Sequence, residues 1–179
     1  MTKSRVIWIT GLSGTGKSTL AQEVVLHLKA AGISVVMLDG DELREILGAV
    51  EVNADNHGRN RRLALAMQYA KLCRILASQG LTVVIATISL FHEVHAWNRS
   101  NLPGYFEVYL KVPFDELRRR DPKGIYRRFD AGDLSNVAGL DLPVDEPFAP
   151  DWVVEFEQGQ TVATLVDELM KTIKVKQSK

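Results

Sequence analysis

A chain of 179 residues that is 46% hydrophobic and 25% charged has the make-up of one globular domain able to bury its own core. Its 22 Lys and Arg balance 22 Asp and Glu, so no bulk field draws it to nucleic acid or to a membrane surface. A single cysteine excludes an internal disulfide, and no apolar run has the length of a membrane span or the flanks of a secretory leader, which together read as a cytoplasmic protein.

Arg5-Val6-Ile7-Trp8-Ile9-Thr10 is short, apolar and β-branched, and predicts a buried strand. Gly11-Leu12-Ser13-Gly14-Thr15-Gly16-Lys17-Ser18-Thr19 follows and matches the pattern G-x-x-x-x-G-K-[ST] in full. From Ser18 to Ala31 the spacing is that of an amphipathic helix, with Leu20, Val24, Leu28 and Ala31 on one side. Strand, glycine loop and helix are the context in which this pattern binds phosphate. Gly11, Gly14 and Gly16 let the backbone approach a ligand, the N–H groups from Ser13 through Thr15 to Thr19 point inward, and the helix adds its positive end. Lys17 is expected to reach the β- and γ-phosphates of ATP, Ser18 to hold Mg²⁺, and Thr19 to support the α-phosphate. The bland alternative is a glycine-rich turn that binds nothing; the flanking elements argue against it.

Ile33–Leu38 predicts a second strand, ending at Asp39-Gly40-Asp41, and a short helix runs from Asp41 toward Leu47. Gly48 to Gly58 is irregular and polar, and Arg59 to Ser78 is a long helical pattern whose apolar side makes Cys73 a core residue. Leu81–Ala86 is a third strand, apolar throughout and so covered on both faces. A helix over Phe91–Arg99, a strand over Tyr105–Leu110 and a short helix from Pro113 to Arg120 come next. Residues 121–150 hold no long periodic run and four of the chain's 6 prolines, the mark of a functional lid. Asp151–Glu155 is a fifth strand, Gln160–Ile173 a closing helix, and Lys174–Lys179 a frayed tail. This alternation predicts an α/β fold over 1–179 as a single domain, with a five-stranded parallel sheet, helices on both faces and a basic lid. Ligands of such sheets bind beyond the carboxyl ends of the strands, where the glycine loop, Asp39, Asp41, Thr87, Ser89 and Lys111 fall.

Two carboxylates as close as Asp39 and Asp41 repel unless a cation lies near. Asp41 is assigned to orient, or deprotonate, an acceptor hydroxyl, and Asp39 to contact Mg²⁺ through water; a turn followed by a helix cap is the competing reading. Arg118, Arg119, Arg120, Lys123, Arg127 and Arg128 crowd one short stretch, as a lid that stabilises a transferring phosphoryl group requires, although a solvated charged face has the same composition. Arg120 and Lys123, flanking Asp121-Pro122, are the favoured pair. No carboxylate ends the third strand and no Asn-Lys-x-Asp is present, so a small kinase fits better than a GTPase or a motor ATPase. His92, His95 and His57 lack the further ligands a metal centre needs. Ser89 either touches substrate or caps the helix after it.

The glycine loop, Leu38-Asp39-Gly40-Asp41 with Arg44, Ile88-Ser89, Arg120-Asp121-Pro122-Lys123-Gly124-Ile125-Tyr126, and Gly139-Leu140-Asp141 with Glu146-Pro147 together resemble the adenylyl-sulfate kinase family, over nearly the whole chain. The resemblance implies a P-loop kinase fold, transfer of the ATP γ-phosphate to the 3′-hydroxyl of a nucleotide, Mg²⁺ and often a homodimer. It places Asp41, Arg44, Ser89 and Lys123 near the acceptor, with Arg59, Ile88 and Val137 at positions of the family's other acceptor motifs. Departures fall in those motifs. The family's Phe-Ser is replaced within Gly48-Ala49-Val50-Glu51-Val52-Asn53, its Asp-Arg-x-x-Asn-Ile-Arg-Arg is a degenerate Gly58-Arg59-Asn60-Arg61-Arg62, its Ile-Ser-Pro run reads Ile88-Ser89-Leu90-Phe91-His92, and its Phe-Thr-Gly is Val137-Ala138-Gly139. The two Phe positions sandwich adenine in the family, and each stacked face is worth roughly 1–3 kcal/mol. Adenylyl sulfate is the acceptor that motif coverage favours. The alternative is a cytidine diphosphate derivative, because Ala86 to Glu93 and Trp97-Asn98-Arg99 look closer to the cytidine diphosphoramidate kinases, relatives in surface-polysaccharide modification. An ATP-binding switch without catalysis is the reading from outside enzymology.

Overall fold

The structure is a computed structural model that describes residues 5–48 and 58–177. Five strands, β1 (Val6–Gly11), β2 (Val35–Asp39), β3 (Thr82–Ala86), β4 (Phe106–Lys111) and β5 (Trp152–Glu155), form one parallel sheet in the order β2-β3-β1-β4-β5. Among them run α1 (Lys17–Ala30), α2 (Gly40–Gly48), α3 (Arg59–Ser78), α4 (His92–Asn101), α5 (Phe114–Arg120), α6 (Ile125–Asp130) and α7 (Val162–Gln177). Successive side chains of β1 point to opposite faces. Ile7 and Ile9 pack with Leu20 and Val24 of α1 and with Val166 and Leu169 of α7. Val6 and Trp8 pack on the other side with Tyr69, Ala70 and Cys73 of α3 and with Val94 of α4. Both cores press on β1, which is why its apolar run is unbroken and every one of its residues is buried. Cys73 is fully buried, and burial pushes its thiol up to about 12, which makes it an inert core residue.

The P-loop kinase architecture expected from the sequence is present, with local differences. The stretch 121–150, expected to lack regular structure, contains α6. A helix of six residues is too short to reveal a period, and Asp121 caps it by accepting from the Tyr126 and Arg127 amides at 3.2 and 3.0 Å. The closing helix does not stop at Ile173 but runs to Gln177, so most of the tail read as frayed is helical. The second strand starts at Val35, two residues later than expected. Most of the irregular stretch from Gly48 to Gly58 lies outside the described residues. Among the described residues no helix is long and apolar enough to cross a membrane.

Candidate active site

β1 delivers the chain into the glycine loop at Gly11. Its φ is +149°, and a Cβ there would meet the Leu110 carbonyl oxygen of β4 at 2.6 Å, so only glycine lets the loop leave between the two strands. At the end of the loop α1 begins at Lys17. The Lys17 Nζ donates to the Leu12 carbonyl at 2.6 Å. Burial, with the charge of Lys123 added, lowers the Lys17 pKa to about 8, against the opposing pull of Asp41 and Asp39. Ser18 donates its hydroxyl to Asp39 Oδ2 at 2.6 Å, and the other oxygen of Asp39 accepts from the Asp41 amide at 2.9 Å. Asp39 thus joins the glycine loop to the first turn of α2. Ser18 and Asp39 are the oxygen pair that could hold a hard cation here.

Gly40 is needed for that junction. A Cβ on it would lie 2.8 Å from Thr87 Oγ1, so β2 turns into α2 tightly against the end of β3. The turn puts Asp41 across from the lid, where its Oδ2 pairs with Lys123, while its Oδ1 is 3.7 Å from Arg44. Burial works to raise the Asp41 pKa, but the hydrogen bond and charge of Lys123, helped by Arg44 and Lys17, bring it below the ordinary carboxylate value.

These groups share a cavity of about 640 Å³ that also takes in Thr19, Ile88, Arg120 and Pro122. A further cavity of about 270 Å³ opens from Thr19 and Arg120 toward Phe156, Glu157 and Gln160 beyond β5. Arg120 lies over the Phe156 ring at 4.8 Å and is tied to Glu116 at 2.7 Å. A narrow pocket of about 40 Å³ lies beyond Arg44, lined by Arg62, Leu65 and Tyr69 of α3, by Thr87 to Phe91, and by Ala138 and Leu142 to Val144 of the lid. Tyr69 donates to the Gly40 carbonyl at 3.2 Å, and Arg62 donates to the Asn136 carbonyl.

Most residues singled out in the sequence meet here. Ser13, Gly14, Gly16, Lys17, Ser18, Thr19, Asp39, Asp41, Arg44, Ile88, Arg120 and Lys123 line the large cavity, and Ser89 lines the narrow one. Arg59 lines neither. Its guanidinium makes two 3.0 Å bonds to Glu93 and one of 2.7 Å to Asp145, and rests over Phe91. Val137 is buried, with its amide held by Asp141 at 2.6 Å, and Ala138 beside it faces the narrow pocket instead. Arg118 and Arg119 point to Asp130 and Glu116. His92 bonds the Glu146 carbonyl and stacks on Phe148, whereas His95 turns into the protein; His57 lies outside the described residues.

Three contributors were missed. Arg62 is the arginine of its run that reaches the narrow pocket, one helical turn on from Arg59. Tyr69 lay hidden in an apolar pattern. Tyr126 of α6 donates to the Ser13 carbonyl at 2.8 Å and packs the lid on the glycine loop; it closes the Arg120–Tyr126 motif of the resemblance but carries no role in the sequence reading.

The family model described as adenylylsulphate kinase matches residues 3–155. A cytidine diphosphoramidate kinase of Campylobacter jejuni is 40% identical over 144 residues, covering 80% of this chain and 82% of its own. An adenylyl-sulfate kinase of Aeromonas hydrophila is 36% identical over 177 residues, covering 97% and 87%. Among solved structures, a Mycobacterium tuberculosis APS kinase in complex with AMPPNP and APS superposes with a TM-score of 0.84 at 30% identity, covering 96% of this chain and 98% of its own.

Proposed function

The chain belongs to the adenylylsulphate kinase family and is an ATP-dependent kinase, and on that premise we propose that its acceptor is the 3′-hydroxyl of a cytidine diphosphate derivative of the cytidine diphosphoramidate type. The observation that carries the acceptor is the narrow pocket. Its lid wall, Ala138 and Leu142 to Val144, is small and aliphatic, and Val137 is turned into the core. Tyr69 and Phe91 line the pocket from the other sides, but on the lid side a purine finds no aromatic face, and one stacked face is worth roughly 1–3 kcal/mol. A single pyrimidine ring asks less of such a slot, and the relative at 40% identity is named for the cytidine compound. Adenylyl sulfate is the second reading. It is favoured by the Aeromonas enzyme, whose likeness extends over 97% of this chain, and by the neighbour that was solved with APS.

The same proposal gives each group a role. The loop from Gly11 to Thr19 binds the phosphates, Lys17 faces the transferring group, and Arg120 beside Phe156 borders the base of ATP. Asp41 accepts a hydrogen bond from the acceptor hydroxyl and aligns it for attack. Lys123, paired with Asp41 in the cavity that the glycine loop also lines, stabilises the charge of the transferring phosphoryl group. Arg44, which lines both cavities, and Arg62, which lines the narrow one, take the acceptor's phosphate groups. Ser18 and, through water, Asp39 would hold Mg²⁺, whose preference for hard oxygen donors they meet; bound there, the ion would neutralise charge on the β- and γ-phosphates. Residues 121–150 act as the lid that keeps water from the reaction. A homodimer belongs to the same proposal, and sedimentation at micromolar concentration checks it.

ADP release from Mg-ATP tests the acceptor directly. Cytidine diphosphoramidate is expected to drive turnover with a kcat/KM at least ~10-fold above that for adenylyl sulfate, the weight of one stacking face. The reverse order establishes the second reading, and bound ATP without turnover on either compound defeats both. Arg59 enters through the lid. It bridges Glu93 on α4 to Asp145, whose amide donates to the Leu90 carbonyl at 3.0 Å and whose carboxylate accepts from the His92 amide at 3.3 Å. Arg59→Ala is therefore expected to raise the acceptor KM about 2–5-fold, the scale of a partly exposed ion-pair network, with ATP affinity unchanged. Steady-state kinetics in both substrates would reveal it.

A further inference from the structure

α4 carries an imidazole that lines none of the cavities. His95 is buried between α4 and the sheet. Its Nε2 lies 3.1 Å from the Ser89 carbonyl oxygen. A carbonyl only accepts, so Nε2 carries the proton and Nδ1 keeps a lone pair. That Nδ1 has no hydrogen-bond partner among the described residues. Burial keeps the ring neutral by lowering its pKa to about 4. The nearest carboxylate, Glu107 at 3.8 Å, is taken up elsewhere, by the Tyr105 hydroxyl at 2.8 Å and by Arg99 at 3.2 Å. A buried nitrogen without a partner is destabilising, and an apolar side chain would fill the same space without that penalty. What the imidazole supplies is its single hydrogen bond.

The bond ends on a strained turn. Ser89 has φ +28°, a left-handed conformation that a non-glycine residue holds only when its surroundings over-determine it. Here they do. The Ser89 carbonyl accepts from His95 and from the Phe91 amide at 3.1 Å, its hydroxyl meets Thr87 Oγ1 at 2.8 Å, and the preceding carbonyl, of Ile88, accepts from Thr10 on β1. Ile88, Ser89 and Leu90 form one wall of the narrow pocket. Of these restraints, His95 alone comes from the helix behind the wall.

We propose that His95 is a positioning residue for the acceptor: its Nε2–H fixes the Ser89 carbonyl and so holds the Ile88–Leu90 wall in the shape that receives the acceptor nucleotide. This rests on the reading of the narrow pocket as the acceptor site. The nucleotide loop hangs from β1 and α1 and has its own supports, so the effect is confined to one of the two substrates.

Three substitutions separate positioning from mere packing. His95→Phe keeps a ring and removes the donor. His95→Gln returns an amide N–H near the place of Nε2, whereas His95→Asn offers one nearer Nδ1. His95→Phe and His95→Asn are expected to raise the acceptor KM about 3–10-fold, the range of one neutral hydrogen bond. ATP affinity by calorimetry is expected to stay within about 2-fold, and His95→Gln to recover most of the loss. Equal behaviour of the Phe and Gln variants, or loss of ATP and acceptor binding in step with Tm, overturns the proposal. The wild-type enzyme gives a check that needs no variant. ¹⁵N NMR is expected to find the Nε2–H tautomer at neutral pH, and an Nδ1–H tautomer overturns the proposal by itself. A wild-type enzyme that turns over neither acceptor defeats the functional reading instead, and the tautomer measurement keeps the two failures apart.

Discussion

Lys17→Ala is expected to lower kcat by at least ~10²-fold, the cost of removing one preorganised charge from a transition state that develops negative charge. The position of the ammonium explains the size. It sits in the glycine loop, bonded to the Leu12 carbonyl, in an environment whose burial lowers its pKa to about 8. Phosphate restores the favoured charge, so the lysine is poised to gain most when the γ-phosphate carries most. Near-normal turnover by the variant would remove the phosphate loop from the mechanism. The same lowered pKa predicts two further results. ATP affinity is expected to weaken as pH rises through about 8, because deprotonation then removes the charge that the phosphates meet; titration calorimetry from pH 6.5 to 9.5 reads it. The stability effect has the opposite sign. Between about 8 and the ordinary lysine value of 10.5 the unfolded chain binds the proton more tightly than the fold, so Lys17 costs the native state most at neutral pH and less as pH rises. Lys17→Met is accordingly expected to raise Tm at pH 7 while abolishing turnover. A fall in Tm would mean that the bond to Leu12 outweighs the burial of the charge. A phosphate site that opposes stability in this way is the usual compromise between binding and folding.

How much of this could be read beforehand depends on the kind of signal. The parallel sheet was legible because β1 and β3 are buried on both faces, and only unbroken apolar runs such as Val6–Ile9 and Val83–Ala86 tolerate that. The phosphate loop was legible because its glycines answer a local backbone demand, visible at Gly11, where any Cβ collides with β4. Asp39, Asp41 and Lys123 stand beside a glycine or proline that marks a turn at a strand end or at the lid, and their juxtaposition follows once the strand order is known. The acceptor pocket was harder. Its contributors come from α3, from the turn after β3 and from the lid, segments far apart in the chain, and no local pattern joins Arg62 and Tyr69 to Ser89 and Leu142. Charge alone could not separate Arg59 from Arg62. Three residues apart on one helix, Arg59 is held by the carboxylates of Glu93 and Asp145, whereas Arg62 turns to the Asn136 carbonyl and the narrow pocket. The helix α6 was invisible for the same reason at a smaller scale, since its stability comes from the Asp121 cap and from Tyr126 packed on the loop rather than from its own period.

Asp41→Asn is expected to reduce acceptor phosphorylation by ~10²–10⁴-fold, the range for removing a group that orients and deprotonates a nucleophile, while ATP binding at pH 7 changes little. The separation follows from the partners. In the proposed site ATP is met by Lys17, Ser18 and Asp39, and Asp39 keeps its bonds to the Ser18 hydroxyl and the Asp41 amide whichever side chain stands at 41. Asp41 itself faces the lid, and burial, which would raise its pKa, is outweighed by the pull of Lys123, Arg44 and Lys17. Its carboxylate is therefore ionised and already hydrogen-bonded, so its first task is to aim the hydroxyl. Its strength as a base grows only as Lys123 leaves it for the phosphoryl group. This coupling predicts that Lys123→Met and Asp41→Asn are not additive, each alone costing nearly as much as both together. It also predicts a displaced titration. Asp41 helps to raise the Lys17 pKa, so its neutralisation is expected to move the pH at which ATP affinity weakens below that of the wild-type enzyme. If ATP affinity at pH 7 falls in step with kcat, Asp41 serves the lysine rather than the acceptor. If affinity holds and the midpoint shifts, the carboxylate acts on the acceptor hydroxyl while its charge tunes the lysine across the cavity.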